Sequence, residues 1–112
     1  MDLQSTQYSQ MTIITVGEAR IDAAAAIRFK DAMRAATATG AGHVVLDLSN
    51  VTFVDSSGLG AIVAAMKQMG GARRLDLAGL TPDVAKVFRL TRMESVFTIH
   101  DDILDLRSRA TG

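Results

Sequence analysis

Short aliphatic runs alternate along this chain with longer segments whose apolar residues recur every three or four positions. The run Gln10-Met11-Thr12-Ile13-Ile14-Thr15-Val16 is rich in β-branched residues and predicts a strand, paired with a shorter one around Leu3 to Tyr8. Asp22 stands where a cap is needed for a helix from Ala23 to about Ala38, broken by Gly40 and Gly42. Its alanine-rich turns suit helix propensity, with Ala26, Phe29, Met33 and Ala36 toward the core. Residues 44–48, Val-Val-Leu-Asp-Leu, read as a buried strand, and Leu59, Ile62, Val63, Met66 and Met69 mark one face of a helix over 57–69. Leu75-Asp76-Leu77-Ala78 lies in a further strand over 74–78. Thr81-Pro82-Asp83 is a helix start, with a cap, a proline in first position and an early acid, for a short helix to Leu90. Val96 to Ile99 predicts the last strand, and Asp101 or Asp102 caps a C-terminal helix through Arg109. Such alternation implies an α/β fold: a mostly parallel sheet of four to five strands, right-handed crossovers and about four helices.

Composition narrows the function classes. The 112 residues suffice for one domain, 1–112, with a real core but not for two. No run of about 18 apolar residues is present, so no membrane span is expected. Nor does the N-terminus join a basic region to an apolar stretch, as a secretory signal would. A cytoplasmic protein is expected. With no cysteine there are no disulfides and no thiolate metal sites. Twelve basic residues balance twelve acidic ones, leaving no excess charge to draw in nucleic acid. His43 and His100 stand at strand ends without a further ligand at metal spacing, and read as solvated or hydrogen-bonded imidazoles. The six methionines fall largely on helix faces and read as core filler. Arg73-Arg74 and Arg107 to Arg109 read as solvated ends. Gly-x-Ser-x-Gly, the three-glycine dinucleotide fingerprint and the P-loop lysine are all absent, and no cofactor is indicated.

The most informative run is Val51-Thr-Phe-Val-Asp-Ser-Ser-Gly-Leu-Gly60, between the strand at 44–48 and the helix at 57–69. It places two hydroxyls at a strand-to-helix turn, where free N–H groups and the helix dipole favour negative charge. Two readings stand side by side. A serine here can be an ordinary N-cap worth about 1 kcal/mol, and Asp55 an ordinary turn former. Alternatively the turn carries a phosphate. One serine suffices for a cap, and Gly58 is a poor first-turn residue unless the backbone is closely approached. Those two features favour an exposed working turn.

Asp55-Ser56-Ser57-Gly58-Leu59-Gly60, after Val-Leu-Asp-Leu-Ser-Asn-Val-Thr-Phe-Val, resembles the signature of anti-sigma factor antagonists in the STAS domain family. Gly17-Glu18 before the first long helix, Gly70-Gly71 after the second, and Phe88 on the short helix extend the resemblance over nearly the whole chain. The resemblance implies a small cytoplasmic switch without catalysis of its own. Its unphosphorylated form binds an anti-sigma factor that is also a serine kinase of the histidine-kinase-like ATPase type, which frees the sigma factor. Phosphorylation of the first serine, here Ser56, ends that binding, and a metal-dependent serine phosphatase restores it. Ser57 would be the neighbouring cap, with Asp55 and Gly58 completing the switch turn. The alternative is a STAS scaffold or accessory subunit whose serines are only caps. An enzyme using Ser56 as nucleophile lacks a visible base or oxyanion partner. Arg20 departs from the resemblance, which implies an acidic residue there, and so bears on partner choice.

Overall fold

In the computed structural model, which describes residues 1–8, 10–40, 42–71 and 73–111 (side chains through Ser108), the β-branched run forms β2 (Met11–Val16). It pairs antiparallel with β1 (Leu3–Gln7) and parallel with β4 (His43–Asp47). The sheet continues in parallel through β6 (Arg74–Ala78) to β7 (Ile99–His100), giving the order β1-β2-β4-β6-β7. Each parallel step needs a crossover. Helices α1 (Ala23–Ala36), α2 (Ser56–Met69) and α3 (Pro82–Leu90) supply these in turn. A nine-residue α4 (Ile103–Thr111) closes the chain.

The strand period of two divides the side chains between two faces. One face turns Ile14, Val16, Val44, Leu46, Leu75 and Leu77 toward Phe29, Met33, Ile62, Ala65, Val84 and Phe88 of the three crossover helices. The other turns Met11, Ile13, Val45 and Ala78 toward Leu106 of α4. Met33 and Met69 are buried in the main core, with Met66 and Met93 packed against it, which accords with their reading as filler. Among the described residues no helix is long and apolar enough to cross a membrane.

The observed elements depart from expectation in several places. A separate two-stranded parallel sheet, β3 (Arg20–Ile21) with β5 (Phe53–Val54), was not legible from so few residues. It joins the segments that lead into α1 and α2, and so sets the starts of those helices side by side. Helix α1 ends at Ala36, ahead of the glycines, with Thr37 as its C-cap; the Thr37 hydroxyl donates to the Met33 carbonyl at 2.7 Å. Thr81 stands at the N-cap position of α3 but does not cap it; its hydroxyl donates to the Val51 carbonyl at 2.7 Å, tying α3 to the segment before β5. The last strand is only Ile99–His100, since Met93–Ser95 coil into a 3-10 turn and Phe97 is drawn into the core edge-on to Phe88. Asp102 fulfils its expected role at α4, its carboxylate accepting from the Leu104 N–H at 2.8 Å.

Candidate functional site: two helix starts joined by Asp55

Asp55 has extended backbone and is the N-cap of α2, placing Ser56, Ser57 and Gly58 in the first turn. Its Oδ1 accepts from the Gly58 N–H at 2.9 Å. Its Oδ2 accepts from the Ala23 N–H, at the first residue of α1, at 3.1 Å. One carboxylate therefore fills orphan donors at two helix ends, where the dipoles also favour its charge. Asp22 caps α1 as expected, its Oδ1 taking the Ala25 N–H at 3.1 Å. On its other oxygen Asp22 holds Arg20 Nε at 3.2 Å, and this hydrogen bond is the chief reason its carboxyl titrates below the ordinary range.

The capping role expected of Ser57 belongs to Asp55. The helix begins one residue earlier than expected, so Ser57 lies inside it at its second position, where a side chain no longer caps. Both Ser56 and Ser57 are exposed, and neither hydroxyl makes a hydrogen bond to a described residue.

Gly58 owes its place to packing. A Cβ there would lie 1.8 Å from the Ile21 carbonyl oxygen, so β3 can meet α2 only where a side chain is missing. The close approach expected at this position comes from the protein's own β3. Gly60, one residue beyond Leu59, would meet nothing within 4 Å and is exposed. Ser56, Ser57 and Gly60 thus give the start of α2 a low, small-residue surface. Beside it Phe53, 38% exposed, carries the Arg20 guanidinium 4.0 Å above its ring.

A second polar cluster lies on the sheet face that α4 covers. Asp76, 1% exposed, receives Arg74 in bidentate fashion at 2.7 and 2.8 Å, and the Nε2 atoms of His43 and His100 both lie 2.9 Å from its Oδ2. Burial raises its carboxyl, but the bonds from Arg74, His100 and His43 together outweigh that and hold it below the ordinary range. The histidines are thus hydrogen-bonded, though to a common partner that their separation in sequence concealed. Arg74 is exposed, as expected of a solvated end, and is ion-paired with Asp76 as well. Arg73 Nη1 donates to the Thr37 carbonyl, and half-buried Arg107 reaches to 4.0 Å from Asp47. The expectation for Arg109 falls outside the described side chains. Among the described residues no group of His, Cys, Asp and Glu could hold a metal ion.

The family model described as "STAS domain" matches residues 2–106. A STAS-domain containing protein of Pseudomonas aeruginosa is 34% identical over 98 residues, spanning 87% of this chain and 94% of that protein. Among solved structures, an anti-sigma-factor antagonist (STAS) domain protein from Planctomyces limnophilus superposes with a TM-score of 0.85, at 19% identity and complete coverage of both chains. The phosphorylated form of the Bacillus cell fate determinant SpoIIAA superposes with a TM-score of 0.67 at 18% identity, covering 96% of this chain and 98% of that one.

Proposed function

The chain belongs to the STAS domain family, and from that premise we propose that it is an anti-sigma factor antagonist switched by phosphorylation of Ser56. The observation that carries this reading is that the turn is complete without its serines. Asp55 does the capping, so the Ser56 hydroxyl stands exposed and without a structural bond at the first position of α2. A residue with no local duty is free to be modified, and the reading of the pair as simple caps loses its basis.

The chemistry is that of a substrate. A partner kinase would direct Ser56 Oγ onto the γ-phosphorus of ATP, forming the Oγ–P bond, breaking the bond to ADP and passing the hydroxyl proton to a base of the kinase. Hydrolysis by a metal-dependent phosphatase returns the hydroxyl and inorganic phosphate. In this reading the catalytic groups belong to the kinase and the phosphatase. Phosphorylation adds roughly −1.5 to −2 charges beside Asp55 and Asp22, at a helix start whose dipole offsets about 0.3–1 kcal/mol. The fold tolerates that charge. A partner surface shaped for a neutral hydroxyl over a low helix start does not, because it would have to desolvate a bulky group of net negative charge and offers no countercharge of its own. The partners are accordingly an anti-sigma factor with serine kinase activity and a serine phosphatase, in the cytoplasm.

Calorimetric titration of the anti-sigma kinase against four forms tests this. Ser56→Ala should bind like the unmodified protein, Ser56→Asp more weakly, and the phosphorylated protein weakest. Equal affinity for all four would place Ser56 outside the interface and favour a scaffold role.

A further inference from the structure

We propose that Arg20 is the internal counter-ion of a phosphate on Ser56, passing to it from Asp22 when the serine is modified. This rests on the reading of Ser56 as phosphoacceptor given above.

The segment carrying Arg20 and the turn carrying Ser56 form one surface, by three independent links. Arg20 and Ile21 pair in register with Phe53 and Val54. The Ala23 N–H is bound to Asp55 at 3.1 Å. The Ile21 carbonyl sits so close to Gly58 that no Cβ fits between them. Arg20 follows the alternation of its strand: Ile21 and Val54 point inward and are buried, while Arg20 and Phe53 are both exposed.

The guanidinium is held in readiness. Stacking on Phe53 and the single bond from Nε to Asp22 fix its plane, and its side chain remains 59% exposed. Among the described residues Nη1 and Nη2 have no partner, so the two-pronged donor that suits a phosphate is open. The charges facing it favour the transfer. Asp22 and Asp55 are the carboxylates at the two helix starts, and Glu18 lines the cleft over α1 together with Arg20, Asp22 and Arg28. A dianion on Ser56 attracts the guanidinium about twice as strongly as the monoanion of Asp22 at equal distance. The phosphate would draw Arg20 away from Asp22 while Phe53 continues to support it. Modification would then remake the surface at both helix starts, exchanging the neutral Arg20–Asp22 pair for a half-neutralised phosphate and a released Asp22 carboxylate.

The test needs no kinase. Phosphoserine is encoded at position 56 during translation in the wild-type chain, Arg20→Gln and Arg28→Gln, each checked for an intact thermal transition. Phosphorus NMR then follows the second ionisation of the phosphate, ordinarily near pH 6. A surface ion pair predicts that it lies about half a unit lower in the wild type than in Arg20→Gln, with Arg28→Gln matching the wild type. Carbon NMR of the Asp22 carboxyl gives a second readout. Its titration should move up toward the ordinary range on phosphorylation of the wild type, and should already lie there in Arg20→Gln. Identical phosphate titrations in the wild type and Arg20→Gln, a shift produced by Arg28→Gln instead, or an Asp22 titration indifferent to phosphate would each overturn the assignment. Because the phosphate is installed biosynthetically, a kinase that fails to modify Ser56 would contradict the switch reading and leave this result untouched.

Discussion

Replacing Gly58 and Gly60 by alanine, one at a time, should move stability in opposite directions although the positions share one helix. At Gly60 the added methyl meets nothing within 4 Å, so the only effect is the better helix propensity of alanine. That is worth about 0.5–1 kcal/mol, or roughly 4 °C in melting temperature for a domain of this size. At Gly58 the same propensity gain is set against a Cβ 1.8 Å from the Ile21 carbonyl oxygen, where real contacts stay beyond 3.0 Å. That neighbour is backbone in a two-residue strand and cannot rotate aside. Helix α2 and β3 must part by roughly 1 Å, which strains the Asp55 bond to Ala23 and costs about 1–3 kcal/mol net, or roughly 4–12 °C. Calorimetric melts of both variants and the wild type at neutral pH give the comparison directly. A Gly58→Ala protein that melts at or above the wild type would refute the claim that β3 packs on the first turn of α2. A Gly60→Ala protein that melts clearly lower would refute the claim that this part of α2 is open surface.

Two further outcomes follow from the capping and the buried carboxylate. Ser57→Ala should change the melting temperature by less than about 0.5 kcal/mol equivalent, whereas Asp55→Ala should cost about 2 kcal/mol through its two N–H bonds; equal losses on thermal denaturation would return the cap to Ser57. The Asp76 carboxyl is held below the ordinary range, so the stability it contributes is present above its unfolded pKa and lost as pH falls through the folded one. Asp76→Asn, which strands Arg74 and two imidazoles, should cost about 3 kcal/mol at neutral pH and should flatten the acid limb of stability against pH. Parallel acid limbs in urea titrations would contradict this.

What the sequence disclosed and what it concealed have a common physical basis. Periodicity is a local signal, and it located β2, β4, β6 and the bodies of all four helices to within a residue or two. Asp22 was legible as a cap because its bond to Ala25 spans three residues. Contacts between distant segments left no such trace. Asp55 joins Ala23 across 32 positions, and His43 and Asp76 meet across 33. The two-residue strands β3 and β5 are too short to show a period at all. The cap expected at Ser57 falls on Asp55 because α2 starts one residue earlier, and the Asp55 bond to α1 has no local signature in the sequence. Thr81 looks like a cap in sequence and occupies the cap position, but a tertiary carbonyl claims its hydroxyl. In the Asp-Ser-Ser-Gly run the residue types answer to different constraints: capping at Asp55, close packing at Gly58, and exposure at Ser56 and Ser57.

The most direct measurement of the central claim is peptide mapping after incubation with the anti-sigma kinase and ATP, with intact mass before and after phosphatase treatment. The account predicts one added phosphate, located on Ser56 and removed by the phosphatase, with Ser56→Ala gaining none. A phosphate on Ser57 or Thr52, or an unmodified protein under conditions where the kinase is active, would contradict it.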